Sequence, residues 1–277
     1  MRLAVCLLLL LGADGVDELL RDARAALKQG EPKKAEELAD QALRLDAQSA
    51  PAYFVRGVAR EARKDYAAAV ADYDRALALA PNLAEAYNQR GSARFKQGDI
   101  AGSIADFDKY LELRPSETPG HWMRGISYYY AGRFDEGRKQ FEGYQTLDTN
   151  DVENAVWHFL CTARLQGVDK ARAALLKVGH DRRVPLMEVY ALFAGKATPA
   201  DVLAAAQAGD ARLREQQLFY AHLYLGLYYE ATGDGRLALE HLTKAADDHP
   251  FPHYMGDVAR VHRDLLRKQA KKKAATQ

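Results

Sequence analysis

Asp247, Asp248, His249 and His253 stand close together near the end of the chain, and these are side-chain types that bind zinc or a similar divalent cation. Pro250 and Pro252 interrupt the group, which predicts an irregular loop and no closed ligand shell. Asp72 with Asp74, and Asp106 with Asp108, are paired carboxylates of a kind that can share acid and base work. Both pairs recur at a 34-residue interval, so they read as one repeated surface feature and not as a catalytic dyad. Ser49, Ser92, Ser103, Ser116 and Ser127 occupy repeat positions or turns, and none lies in a Gly-x-Ser-x-Gly elbow. Cys161 follows Trp157 and Leu160 in an apolar helical stretch, which predicts a buried thiol and no nucleophile. The sequence has no Gly-rich phosphate loop, His-Glu-x-x-His pair or Cys-x-x-Cys. It predicts no catalytic residue, no metal and no cofactor.

The elements that carry these residues follow from one period. Arg56-Gly57, Arg90-Gly91 and Arg124-Gly125 are spaced 34 apart, and Tyr53, Tyr87 and His121 stand three residues before each pair. Tyr73, Phe107 and Phe141 recur at the same interval; so do Ala35, Ala69 and Ser103, while Pro81 and Pro115 close their repeats. About 34 residues make two antiparallel helices and their turns. The small residue lets helix A approach helix B, and the aromatic fills the gap to the neighbour. Gly98, Gly132 and Gly233 separate the helices, and Thr118-Pro119 predicts a capped helix start. One such hairpin cannot bury its apolar faces alone, so the hairpins must stack.

This pattern resembles the tetratricopeptide-repeat (TPR) family. The resemblance implies an all-α fold, a TPR superhelix (right-handed α-solenoid) of stacked antiparallel helical hairpins. The repeats are 16–49, 50–83, 84–117 and 118–151, the first degenerate with Ala23 and Ala39 at the glycine and aromatic positions. A further repeat, 219–252, carries Leu225-Gly226, Tyr229, Gly233, Ala238, Leu242, Ala245 and Pro250. The interval 152–218 is close to two periods long and predicts two degenerate hairpins. The first uses Val152–Leu165 and Lys170–Val178, broken at Gly167; the second uses Val184–Ala194 and Val202–Ala208, with Thr198-Pro199 opening its second helix. A capping helix over 253–267 and a basic disordered tail over 268–277 follow.

Arg2, the apolar run Leu3–Leu11 and Ala13-Asp14-Gly15 fit a signal peptide over 1–15. That predicts export to the periplasm or envelope; if the run instead docks as a first helix, the protein is cytoplasmic. The run is shorter than the ~20 residues a membrane span needs, and no other stretch reaches that length. Val5 precedes Cys6 where a lipobox needs a small residue. With a net charge of +1, no global field steers the protein to nucleic acid. Two cysteines among 277 residues exclude a disulfide framework.

A signal segment, early repeats, a degenerate middle and one well-formed late repeat are similar to the NlpI group of bacterial TPR lipoproteins. Val156-Trp157-His158-Phe159-Leu160, Glu188–Lys196 and Phe219-Tyr220 to Gly233-Asp234 carry this similarity. It implies a non-catalytic envelope adaptor that docks a periplasmic protease and peptidoglycan hydrolases, often as a homodimer. A structural subunit of a secretion or pilus apparatus is the alternative. The TPR resemblance also implies that helix A lines a concave face. That face would gather Phe54, Val58, Asn88, Ser92, Phe95, Trp122, Ile126, Tyr129 and Tyr130. Aromatic anchors with few charges suit a groove for a protein or peptide partner. The other reading is that the chain's own middle helices fill this face. Lys96 reads as an exposed position.

Overall fold

The computed structural model describes residues 2–275, and among them every regular element is helical. The helices form two compact units, Met1–Ser116 and Glu117–Gln277.

The first unit holds three hairpins: α1 (Arg2–Lys28) with α2 (Pro32–Leu45), α3 (Ala50–Ala62) with α4 (Tyr66–Leu79), and α5 (Ala84–Gln97) with α6 (Ile100–Leu113). Side-chain caps begin several of these helices. Ser49 accepts the Ala52 N–H, Asp65 the Ala68 N–H and Asp99 the Gly102 N–H, each satisfying a donor the helix cannot. Between α5 and α6 the chain turns through Gly98 at φ +86°, and the equivalent turn before α4 uses Lys64 at φ +64°. That left-handed conformation costs a residue with a Cβ about 1–2 kcal/mol, which glycine avoids. α1 passes without a break through the predicted boundary at residue 15. The side chains of residues 1–14 lie outside the described ones. Val16, Leu20, Ala23 and Ala26 pack on Ala35, Ala39 and Ala42, so small residues replace the glycine–aromatic contact in this first hairpin.

In the following hairpins the repeat positions meet as the spacing predicts. A Cβ on Gly57 would stand 2.6 Å from the Tyr73 ring, and one on Gly91 2.7 Å from the Phe107 ring. Beside each glycine an arginine reaches in two directions. Arg56 pairs with Asp72 at 2.6 Å and Asp40 at 2.7 Å; Arg90 pairs with Asp106 at 2.6 Å and Asp74 at 2.6 Å. Each partner lies 16 residues away, one on the B helix of the arginine's own hairpin and one on the B helix before it. Arg60 and Arg94 bind the second oxygens of Asp72 and Asp106. The sequence reading of Asp72 and Asp106 as surface residues is therefore corrected. Both are buried, because paired guanidinium groups satisfy them there. Lys96 is not an exposed position either, since its ammonium lies 2.7 Å from Glu61 in a largely buried pair.

The second unit begins with α7 (Trp122–Tyr130) and α8 (Phe134–Tyr144), then α9 (Val152–Gln166) with the short α10 (Val168–Ala173). α11 (Leu186–Phe193), α12 (Pro199–Ala208), α13 (Arg214–Ala231), α14 (Gly235–Thr243) and α15 (Tyr254–Ala275) follow. Glycine again meets the ring or branched side chain. A Cβ on Gly125 would lie 2.7 Å from Phe141, and one on Gly226 2.6 Å from Leu242.

Four boundaries differ from the sequence reading. α7 starts at Trp122, where the His121 ring accepts the Arg124 N–H, and not at Thr118-Pro119. The Thr118 carbonyl instead accepts the Gln140 amide at 2.6 Å, which holds it outside helical geometry. α10 ends at Ala173, and residues 175–182 run irregularly, with Gly179 accepting no helical role. α13 starts at Arg214, five residues before the predicted repeat. The closing helix continues to Ala275, past the predicted cap 253–267 and into the predicted disordered tail; its Lys, Gln and Ala residues are strong helix formers. Thr198 opens α12 as predicted, with a capping box to Asp201.

Two buried histidines join α13 to α14. His222 Nδ1 and His241 Nδ1 are 2.9 Å apart, one donating and the other accepting, and His249 stacks on His222. Burial, then the neighbouring His241, push the His222 imidazole down to about 3. Burial also lowers His241.

Two predictions follow from this packing. Gly91→Leu must displace the Phe107 ring and also meets the Ser103 carbonyl, a backbone atom at 3.2 Å that cannot swing aside. The variant should lose on the order of 1–3 kcal/mol, while the exposed Lys33→Ala stays within about 0.5 kcal/mol in the same denaturant melts. Equal midpoints would contradict the repeat register. For His222, the unfolded chain binds a proton near the ordinary histidine value and the folded chain only near 3. Stability from this residue is therefore complete above the unfolded pKa and lost as pH falls toward the folded one. Between pH 7 and 5 that loss is roughly 2 kcal/mol, and His222→Gln should lose correspondingly less than wild type. Parallel acid limbs for the two proteins would refute the assignment.

Candidate partner-binding site

The inward residues of the first unit sit among polar neighbours. Phe54 is half-buried with its ring 5.9 Å from Tyr73, and Val58 packs on the same cluster. Asn88 is half-buried, whereas Ser92 and Phe95 are buried. Ser92 donates to Glu61 at 3.1 Å, and Tyr73 donates to the other oxygen of that carboxylate at 2.8 Å. Phe54, Val58 and Asn88 are thus the part of the predicted face that remains accessible in this unit.

In the second unit the unit's own later helices cover much of α7. Tyr129 is only 7% exposed, and its ring lies edge-on to Trp157 of α9 at 5.4 Å. Its hydroxyl donates to Glu230 of α13 at 3.3 Å, and that carboxylate pairs with His262 Nε2 of α15 at 3.1 Å. His262 Nδ1 shares a hydrogen bond with the Tyr130 hydroxyl, 2.9 Å away. Burial pushes both phenols well above their ordinary value, so both keep their protons. The open groove predicted at Tyr129 and Tyr130 is corrected: these residues tie α7 to α13 and α15.

Trp122 and Ile126, one turn apart, face a cavity of about 210 Å³ within this unit. Trp122 is half-buried, with its ring edge-on to Tyr254 at 5.2 Å. Phe141, Trp157 and Met255 complete the apolar wall, and Asp151, Glu153 and Arg183 bring charge to it. Arg183 comes from the irregular segment before α11. It binds Asp151 at 2.8 Å and Asp181 at 2.6 Å, and also Glu153, which accepts from Tyr224 as well. Burial pushes Glu153 up to about 7 against the pull of Arg183. Sequence reasoning missed this charged wall, because Arg183 and Asp181 lie where no periodicity marks them.

The four candidate metal ligands are not brought together. Asp247 binds Arg263 and Arg267, His249 pairs with Glu215 at 2.8 Å, and His253 borders the cavity. Among the described residues no group of three or more His, Cys, Asp or Glu side chains has metal-binding geometry. Cys161 is fully buried, and burial pushes its thiol up, so it stays protonated. No helix among the described residues is long and apolar enough to cross a membrane.

Two tetratricopeptide-repeat family models match the sequence, over residues 20–84 and 58–121. No curated protein matches. Among solved structures, a tetratricopeptide repeat protein from Parabacteroides merdae aligns over 92% of this chain and 99% of its own, with a TM-score of 0.58 at 14% identity. YrrB, described as a TPR protein with an unusual peptide-binding site, aligns over 71% of this chain and 97% of its own, with a TM-score of 0.54 at 17% identity. PilF of Pseudomonas aeruginosa aligns over 86% and 94%, with a TM-score of 0.52 at 15% identity. At these identities the similarity is one of fold. The glycine–aromatic contacts, the 34-residue period and the matching models agree that residues 20–121 are tetratricopeptide repeats, in an all-helical chain that shares its fold with proteins of that family.

Proposed function

We propose that the protein is a non-catalytic adaptor of the bacterial cell envelope that holds partners such as a periplasmic protease or peptidoglycan hydrolases. The observation that carries this reading is an accessible aromatic side chain on an A helix of each unit: Trp122 at the cavity of the second unit and, separately, Phe54 beside Val58 in the first. Repeats of this family serve as interaction scaffolds, and YrrB is a member described as having a peptide-binding site. Aromatic side chains half-buried at a concavity supply large contact area for little lost entropy. Export is supported by the apolar run Leu3–Leu11 and the small residues after it. Val16 and Leu20 already belong to the core, so a chain beginning near Val16 keeps the first hairpin.

Affinity purification from envelope extract, with mass spectrometry of the captured proteins and of the bait's own N-terminus, tests this reading. Wild type should begin near Val16 and retain an envelope protein. Trp122→Ala should retain it at least tenfold less while its melting temperature stays within a few degrees, since a hot-spot aromatic contributes about 2 kcal/mol or more. An intact Met1 contradicts export. Full capture by a variant whose melting temperature collapses contradicts the binding face and makes Trp122 a core residue.

A further inference from the structure

The cavity beside Trp122 holds charge and unsatisfied polar atoms that the repeat pattern does not require. Three carboxylates, Asp151, Glu153 and Asp181, surround the single guanidinium of Arg183. The N-terminus of α9 adds about half a positive charge. Asp151 and Asp181 already answer it, accepting the Glu153 and Val152 N–H groups at 2.9 and 3.2 Å. With Glu153 about half-ionised at neutral pH, about one negative charge is left over at this wall. Arg183 directs four N–H donors at these carboxylates, so its positive charge is already balanced and does not favour an anion here.

Two further groups lack partners. Asn154 is 4% exposed and Trp157 2% exposed, and both line the cavity. Asn154 donates its amide to the Phe141 carbonyl at 3.1 Å and to Gln145, leaving its Oδ1 without a donor. The indole N–H of Trp157 has no acceptor. Such atoms cost free energy unless something fills their place. An occupant that fits must bring N–H donors, a positive charge and an apolar stem.

We propose that this cavity takes the side chain of a lysine or arginine from a partner segment. The rings of Trp122, Phe141 and Trp157 receive the aliphatic stem and attract the cation. Asp151 and Glu153 balance its charge, and Asn154 Oδ1 accepts one of its N–H groups. Burial pushes Glu153 up to about 7, and an arriving cation favours its ionised form. This inference rests on the adaptor reading and names the chemistry its partner must present.

The chain has two tryptophans, Trp122 and Trp157, and both line the cavity, so intrinsic emission reports on this site. The full chain would be titrated with Nα-acetyl-lysine methylamide, Nα-acetyl-arginine methylamide and the uncharged norleucine counterpart. The cationic ligands should change the emission saturably and bind at least tenfold more tightly than norleucine. Added salt should weaken them. Asp151→Asn keeps the helix cap, because Asn caps as well as Asp, and removes the charge. It should bind the cations at least fivefold more weakly with an unchanged melt. Norleucine binding as well as lysine, unchanged affinity in Asp151→Asn, or no saturable signal overturns the proposal. Partner capture that survives Asp151→Asn leaves the adaptor reading standing and removes this one. Cation binding without any captured partner does the reverse.

Discussion

An arginine held between two B helices sets the geometry of the first unit. Arg56 and Arg90 each reach one carboxylate 16 residues back and another 16 residues ahead. The glycine that follows each arginine lets the backbone of helix A close on a ring of helix B. Adjacent residues thus fix two distances, one within a hairpin and one between hairpins. The Arg90 and Asp106 side chains are 14% and 4% exposed, so water does little to screen them. Removing one partner of such a pair strands a buried charge, which costs roughly 3–5 kcal/mol. The pair specifies how helix A sits on helix B of its own hairpin more than it adds net stability, since two well-packed apolar side chains could stabilise as much.

The second unit departs from this rule, and its distinctive chemistry lies in the departures. Arg124 meets the neutral Gln140 where the earlier repeats place an aspartate. Gln140 is thereby free to hold the Thr118 carbonyl, which delays the start of α7 to Trp122. Carboxylates gather instead around Arg183, on a segment that has left the helical pattern. Tyr129 and Tyr130 are consumed by the network through Glu230 and His262, so α7 presents only its first turns to the cavity. A repeat built for regular stacking here borders a polarised recess.

What the sequence discloses and what it hides follow the same division. Gly57, Gly91 and Gly125 and their aromatic partners are legible because one contact repeats at one interval. The second and third hairpins of the first unit and the late repeat around Gly226 are legible for the same reason. The burial of Asp72 and Asp106 is hidden, since a periodic carboxylate looks like a solvated face until the helix crossing brings an arginine to it. Tyr129 and Tyr130 read as groove anchors because their partners lie 101 and 132 residues away, beyond any local pattern. Asp181 and Arg183 carry no period at all. The helical course of the C-terminal lysines was set by intrinsic propensity, which a compositional reading of charge overlooks.

A double-mutant cycle on Arg90 and Asp106 tests most directly whether the buried arginine–aspartate pair sets the geometry of the hairpin. Unfolding free energies would be measured for wild type, Arg90→Met, Asp106→Asn and the double variant. The account predicts that each single change costs about 2 kcal/mol or more and that the double change costs little beyond the larger single loss, a coupling of at least about 1.5 kcal/mol. Additive losses, with a coupling below about 0.5 kcal/mol, would show that the two side chains act independently and that the pair does not hold the two helices of the hairpin together.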